Sequence, residues 1–141
     1  MASEIEMFID RFPPSIQRLL KSIRSVDMDS ERTKLRVAIP RSEDLVDEYG
    51  GVHGAIVVSL SIAVSELLAL MHAPPETRIV TLNSYMLFER YPTEWSSLEI
   101  EANISTRTSI SMIVDVVCRA DEYVIARGSI VYALIPSAYA Q

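Results

Sequence analysis

The chain has a single cysteine, Cys118, and only two histidines, His53 and His72. One thiol excludes an internal disulfide framework and any zinc site built on cysteine pairs, and it suits a reducing compartment, the cytoplasm. With no cysteine pair and no helical histidine pair, a metal site is not expected. Positive charge is scarce as well: 13 Lys and Arg against 19 Asp and Glu leave a net charge of -6. That balance argues against nucleic acid as a partner. The first residues, Met1-Ala2-Ser3-Glu4-Ile5-Glu6, lack the basic start and apolar core of a signal peptide. No run reaches the ~18 uninterrupted apolar residues of a membrane-spanning helix. The nearest, Ala55 to Met71, carries Glu66, which would be costly in lipid, so no membrane partner is expected. Repeats, low-complexity segments and internal linkers are also missing.

What the chain has in quantity is apolar surface: 49% hydrophobic residues and a mean hydropathy of +0.20. For 141 residues, most simply one domain over 1–141, that is high, and burial against further copies of the chain is expected. Glycine is sparse, four in all, and three of the four fall in Gly50-Gly51-Val52-His53-Gly54. The apolar run from Ala55 to Met71 follows at once, broken only by Ser59, Ser61, Ser65 and Glu66. A helix over 53–72 with so few polar positions must be covered on almost every side.

The remaining segments supply the cover. Ile5, Phe8, Ile9 and Phe12, then Ile16, Leu19, Leu20 and Ile23, recur at helical spacing on either side of Pro13-Pro14. Residues 1–26 therefore read as an N-terminal helical extension. From Thr33 the period changes to two: Leu35, Val37 and Ile39 mark a half-buried strand ending at Pro40. After Pro74-Pro75, residues 79–136 read as four strands: Ile79–Phe88, one through Leu98 to Ile104, one through Ile110 to Cys118, and Tyr123–Ile135. Short turns join the last three into an antiparallel meander, with Gly128 a bulge or close-approach point. The expected architecture is α+β, an antiparallel sheet of about five strands curled around one long helix.

In this order of elements, and in its motifs, the chain resembles the hotdog-fold acyl-CoA thioesterases, the superfamily of the 4-hydroxybenzoyl-CoA and phenylacetate-pathway enzymes. The pattern Asn-x-x-Gly-x-x-His-Gly-Gly reads here Asp47-Glu48-Tyr49-Gly50-Gly51-Val52-His53-Gly54-Ala55. Spacing is kept; Asp47 stands for the usual Asn and Ala55 for the second Gly. Val80 to Phe88 and Ala126 to Tyr132 resemble the strands that follow.

The resemblance implies a thioester carbonyl held at the amides of Gly54 and Ala55, where free N–H groups stabilise oxyanion charge. It also implies a carboxylate nine residues after the histidine, acting as base or nucleophile. That position is Ile62, which can do neither. Asp47 and Glu66 are the candidate replacements, Glu66 lying one turn beyond Ile62 on the same face. Structural roles stay open for both. His53 is a further acid-base candidate, although a turn-shaping role suits it too. Thr81 and Ser84 lie on the strand expected near the thioester, and Arg107, Arg119 and Arg127 are candidates for the coenzyme A phosphates. His72 reads as a cation at the helix C-terminus. No cofactor is implied beyond coenzyme A as part of the substrate.

The resemblance further implies a homodimer or homotetramer joined edge to edge, with the site at the dimer interface. Acyl-CoA hydrolysis is the expected activity. A non-catalytic thioester-binding or structural protein is the alternative that Ile62 motivates, and a hydratase or dehydratase using Asp47 and His53 is a second.

Overall fold

Pro13 and Pro14 set the first boundary. Pro13 takes an extended backbone (ψ 152°), and Pro14 opens a helix at a position where the missing N–H costs nothing. The computed structural model, which describes residues 2–137, accordingly has two short helices, α1 (Ala2–Ile9) and α2 (Pro14–Lys21). Ile5 and Ile9 from α1, Phe12 from the joint, and Leu19 and Leu20 from α2 are buried. Arg18 and Lys21 are exposed, and Gln17, half-buried, donates to the Phe12 carbonyl (2.7 Å).

The apolar run after His53 forms α3 (Gly54–His72). By length and apolarity alone this helix could cross a bilayer; here it is clasped by protein. It packs against α1, α2 and five strands of the sheet. Leu60, Leu67 and Leu68 have no exposed surface, and each contributes about 1.5–3 kcal/mol on burial. Along its length a partly exposed stripe runs at spacings of three and four through Ala55, Val58, Ser59, Ile62, Glu66 and Leu70. Gly54, Ile56, Met71 and His72 near the ends are half-buried too.

Alternation decides which face each strand turns to α3. Leu35, Val37 and Ile39 are buried in β2 (Lys34–Pro40), and Leu98, Ile100 and Ala102 in β4 (Ser97–Arg107). Met112, Val114, Val116 and Cys118 do the same in β5 (Ser111–Ala120), and Ile130, Tyr132 and Leu134 in β6 (Tyr123–Pro136). The sheet has six strands in the order β1-β2-β4-β5-β6-β3, each neighbouring pair antiparallel. This is the hotdog arrangement, a curled sheet around a central helix.

Three expectations need correction. The sheet gains a sixth strand, β1 (Ser25–Met28), which pairs Val26 with Val37 inside the region read as the end of the helical extension. The first strand after the helix, β3 (Thr77–Phe88), starts before Ile79. Ile110 is not on the buried face of β5; it sits exposed in the turn before it.

Gly128 proves to be a close-approach point. A Cβ there would lie 1.8 Å from the Tyr85 carbonyl oxygen on β3. The register shift in this pair falls instead between Thr81 and Asn83. Among the described residues β3 pairs with β6 alone, leaving its other edge open, and Leu82, Tyr85, Leu87 and Phe88 are all exposed on this strand.

Candidate active site at the start of the central helix

Leu45 is buried and anchors the segment that leads into α3. Val46 bridges Val52, the Asp47 N–H donates to the Gly51 carbonyl (2.9 Å), and the His53 N–H donates to the Leu45 carbonyl (2.8 Å). These bonds close a tight loop over residues 46–52. Gly50 sits in it at φ +94°, in the left-handed region where a side chain is strained.

Asp47 is held inside this loop by donors alone. Its Oδ1 accepts from the N–H of Tyr49 (2.9 Å) and of Gly51 (3.2 Å), and the Tyr91 hydroxyl lies 2.6 Å from Oδ1 and 2.5 Å from Oδ2. The tyrosine hydrogen bond, aided by the two amides and by His53 nearby, holds the carboxyl below the ordinary aspartate value. Tyr91 comes from the connection between β3 and β4. The same connection pins the loop a second time, since the Trp95 indole N–H donates to the Gly50 carbonyl (3.0 Å). Arg41 stacks on Trp95 and donates to the carbonyls of Thr93 and Trp95.

His53 is the N-cap of α3. Its Nδ1 accepts from the Ala55 N–H at 3.2 Å, which satisfies one of the orphan donors of the first turn. The Ala55 amide is therefore engaged by His53, whereas the Gly54 N–H has no acceptor among the described residues. Asp47, Val52, Gly54, Phe88, Glu89, Arg90 and Tyr91 together line an open cleft of about 390 Å³. The Phe88 ring closes one side, 3.7 Å from where a Cβ on Gly54 would be.

The other residues singled out from the sequence fall elsewhere. Glu66 is about 18 Å along the helix axis from Gly54. It lines a separate groove of about 300 Å³ with Phe12, Pro13, Ile16, Ser59 and Ile62. Burial raises its pKa, and Arg11 offsets part of that rise. Ile62 borders the same groove, and its carbonyl accepts a hydrogen bond from the Tyr132 hydroxyl (2.8 Å). Ser61 pairs with Cys118 in the core at 3.1 Å, and Ser65 is fully buried.

Thr81 and Ser84 lie exposed on β3, roughly 23 and 13 Å from Phe88 by strand rise, so one chain does not bring them to the cleft. The three arginines are committed. Arg107 donates to the carbonyl of His72 (2.7 Å), Arg119 pairs with Glu99 (3.1 Å), and Arg127 pairs with Glu89 (2.9 Å). At the C-terminus of α3 Arg107 thus brings a guanidinium to the last turn, beside His72. The same guanidinium lies 3.4 Å from the Nδ1 of His72, whose Nε2 donates to the Arg32 carbonyl.

Three residues of the cleft escaped the sequence reading: Glu89, Arg90 and Tyr91. All three sit in a loop, where no periodicity marks a side chain's direction. Arg90 has no carboxylate within salt-bridge distance among the described residues and lies over the Tyr123 ring at 5.5 Å. Among the described residues no three His, Cys, Asp or Glu side chains gather in a way that could hold a metal.

No protein-family model and no curated protein matches the sequence. Solved structures do match the fold. A thioesterase from Haemophilus influenzae aligns with a TM-score of 0.78 at 13% identity, over 94% of this chain and 91% of the other. A thioesterase family protein from Silicibacter pomeroyi gives 0.79 at 16% identity, over 96% and 98%. A variant of a Pseudomonas aeruginosa thioesterase gives 0.78 at 16% identity, over 94% of each chain. At such identities the likeness concerns the path of the chain, and it is near complete. The protein has the hotdog fold, in the form these thioesterases share.

Proposed function

We propose that the protein hydrolyses an acyl-CoA thioester in the cleft at the start of α3. The observation that carries this reading is the meeting of an uncommitted helix N-terminal amide, Gly54, and a donor-held carboxylate, Asp47, in one cleft. The Gly54 N–H receives the developing oxyanion, aided by the helix dipole. Asp47 takes a proton from a water as the water oxygen adds to the carbonyl carbon. The C–S bond then breaks, and the proton passes to the departing sulfur, leaving a free acid and a free thiol. Arg90, on the rim, faces the phosphates of coenzyme A. The fold shared with thioesterases supports this choice of chemistry.

A second copy of the chain completes the assembly in this proposal. Position 62 lies roughly 12 Å along the axis from Gly54, so no single chain can present both to one carbonyl. The open edge of β3 and the partly exposed stripe of α3 are the surfaces available for a homodimer or a homotetramer, placed in the cytoplasm. A non-catalytic thioester-binding role is the second reading, and Ile62 is the observation that favours it.

The test is release of free thiol from a panel of acyl-CoA substrates. Wild-type turnover, with a loss of about a hundredfold or more in Asp47→Asn, is the expected result. Binding of acyl-CoA without turnover would overturn hydrolysis in favour of the second reading. In that event Ile62→Asp asks whether the binding site lacks only a base.

A further inference from the structure

We infer that Tyr91 is the positioning residue of the cleft, fixing Asp47 as a carboxylate with one oxygen left to face incoming water. The inference rests on the proposed hydrolysis only for what that oxygen then does. Three donors converge on Asp47, the N–H groups of Tyr49 and Gly51 and the hydroxyl of Tyr91. An amide at position 47 could accept both N–H groups at its oxygen and donate to the Tyr91 hydroxyl, so what the carboxylate adds in this loop is charge and a second accepting oxygen.

The two oxygens are not equivalent. Both backbone amides point to Oδ1, whereas Oδ2 meets only the tyrosine hydroxyl, at 2.5 Å. A hydroxyl has one proton to share, so Oδ2 keeps lone-pair capacity that Oδ1 has spent. Without Tyr91, Asp47 is an exposed side chain held at one oxygen only.

The tyrosine itself is held by shape. Its ring lies across Gly51, where a Cβ would fall 2.1 Å from Cε1. Glycine at position 51 thus serves the carboxylate four residues earlier by letting the ring lie flat on the backbone. The hydroxyl is also the largest influence keeping Asp47 below the ordinary carboxylate value.

Two variants separate the hydroxyl from the ring. Tyr91→Phe keeps the ring and deletes the bond; Gly51→Ala keeps the hydroxyl and pushes it away. Each is expected to lower kcat roughly tenfold to a hundredfold while KM stays within about twofold, since misplacing a reacting group by about 1 Å has that effect. Each should move the acid limb of the kcat profile to higher pH, and the double variant should be no worse than the poorer single one. A carbon-13 titration of the Asp47 carboxyl provides a readout independent of turnover, its midpoint rising in Tyr91→Phe. If the wild-type protein releases no thiol, the hydrolytic reading fails, and the titration still decides the role of Tyr91. An unmoved midpoint, or a fall in kcat with the acid limb unmoved, overturns the inference.

Discussion

Glu66 is a half-buried carboxylate in a mostly apolar groove, without a hydrogen bond or ion pair among the described residues. Its folded pKa lies above its unfolded value, so the folded state binds its proton more tightly. The sign follows: stability is unaffected below the unfolded value near 4.5 and falls as pH rises through the folded one. Glu66→Gln should therefore raise the melting temperature at pH 7, and the gain should vanish near pH 4; a gain independent of pH would contradict this origin. Leu67 behaves as a core side chain without a polar duty. Leu67→Ala should cost about 2–5 kcal/mol by chemical denaturation, because α3 is gripped on too many sides for the gap to close.

At the scale of elements, the sequence made α3 and the meander legible because their signals are long. Val114, Val116 and Cys118 alternate without interruption, and the helix has four polar breaks between Ala55 and Met71. β1 escaped because four residues with two half-buried side chains give almost no period. In the site, the fixed spacing of Asp47, His53 and Gly54 made the loop readable. The partner of Asp47 was not, since Tyr91 lies 44 positions away and reaches it only through the fold. Arg107 likewise reaches the end of α3 from β4. Arg107→Ala removes a charge-assisted bond to the last turn and should lower stability by about 1 kcal/mol, read from denaturation midpoints. The open edge of β3 makes a further prediction. Leu82→Lys or Leu87→Lys should shift the protein toward monomer in sedimentation or light scattering, while β3 keeps its pairing with β6.

For the molecule as a whole, carboxylates that cap loops contribute to the acid limit, beside Glu101, where burial is outweighed by its pairing with Arg36 and Arg119. Asp29 accepts from Lys34 and Thr33, Asp121 from Ser96 and Ser97, and Asp47 from Tyr91. All three are held below the ordinary value by these bonds. Their contribution is present above about pH 4 and is lost as pH falls through the folded values. Thermal stability should thus stay level from pH 6 to 8 and drop between pH 4 and 3, a fall that Asp121→Asn should reduce.

The lone thiol offers a different use of the same interior. Cys118 is fully buried beneath α3, and burial pushes its pKa up to about 11. In the closed protein it is neither accessible nor a thiolate, so a thiol reagent must wait for the sheet and helix to part. The rate of labelling at this one atom then works as a stopwatch on the global opening of the domain. Every variant proposed above can be timed by it, without adding a probe.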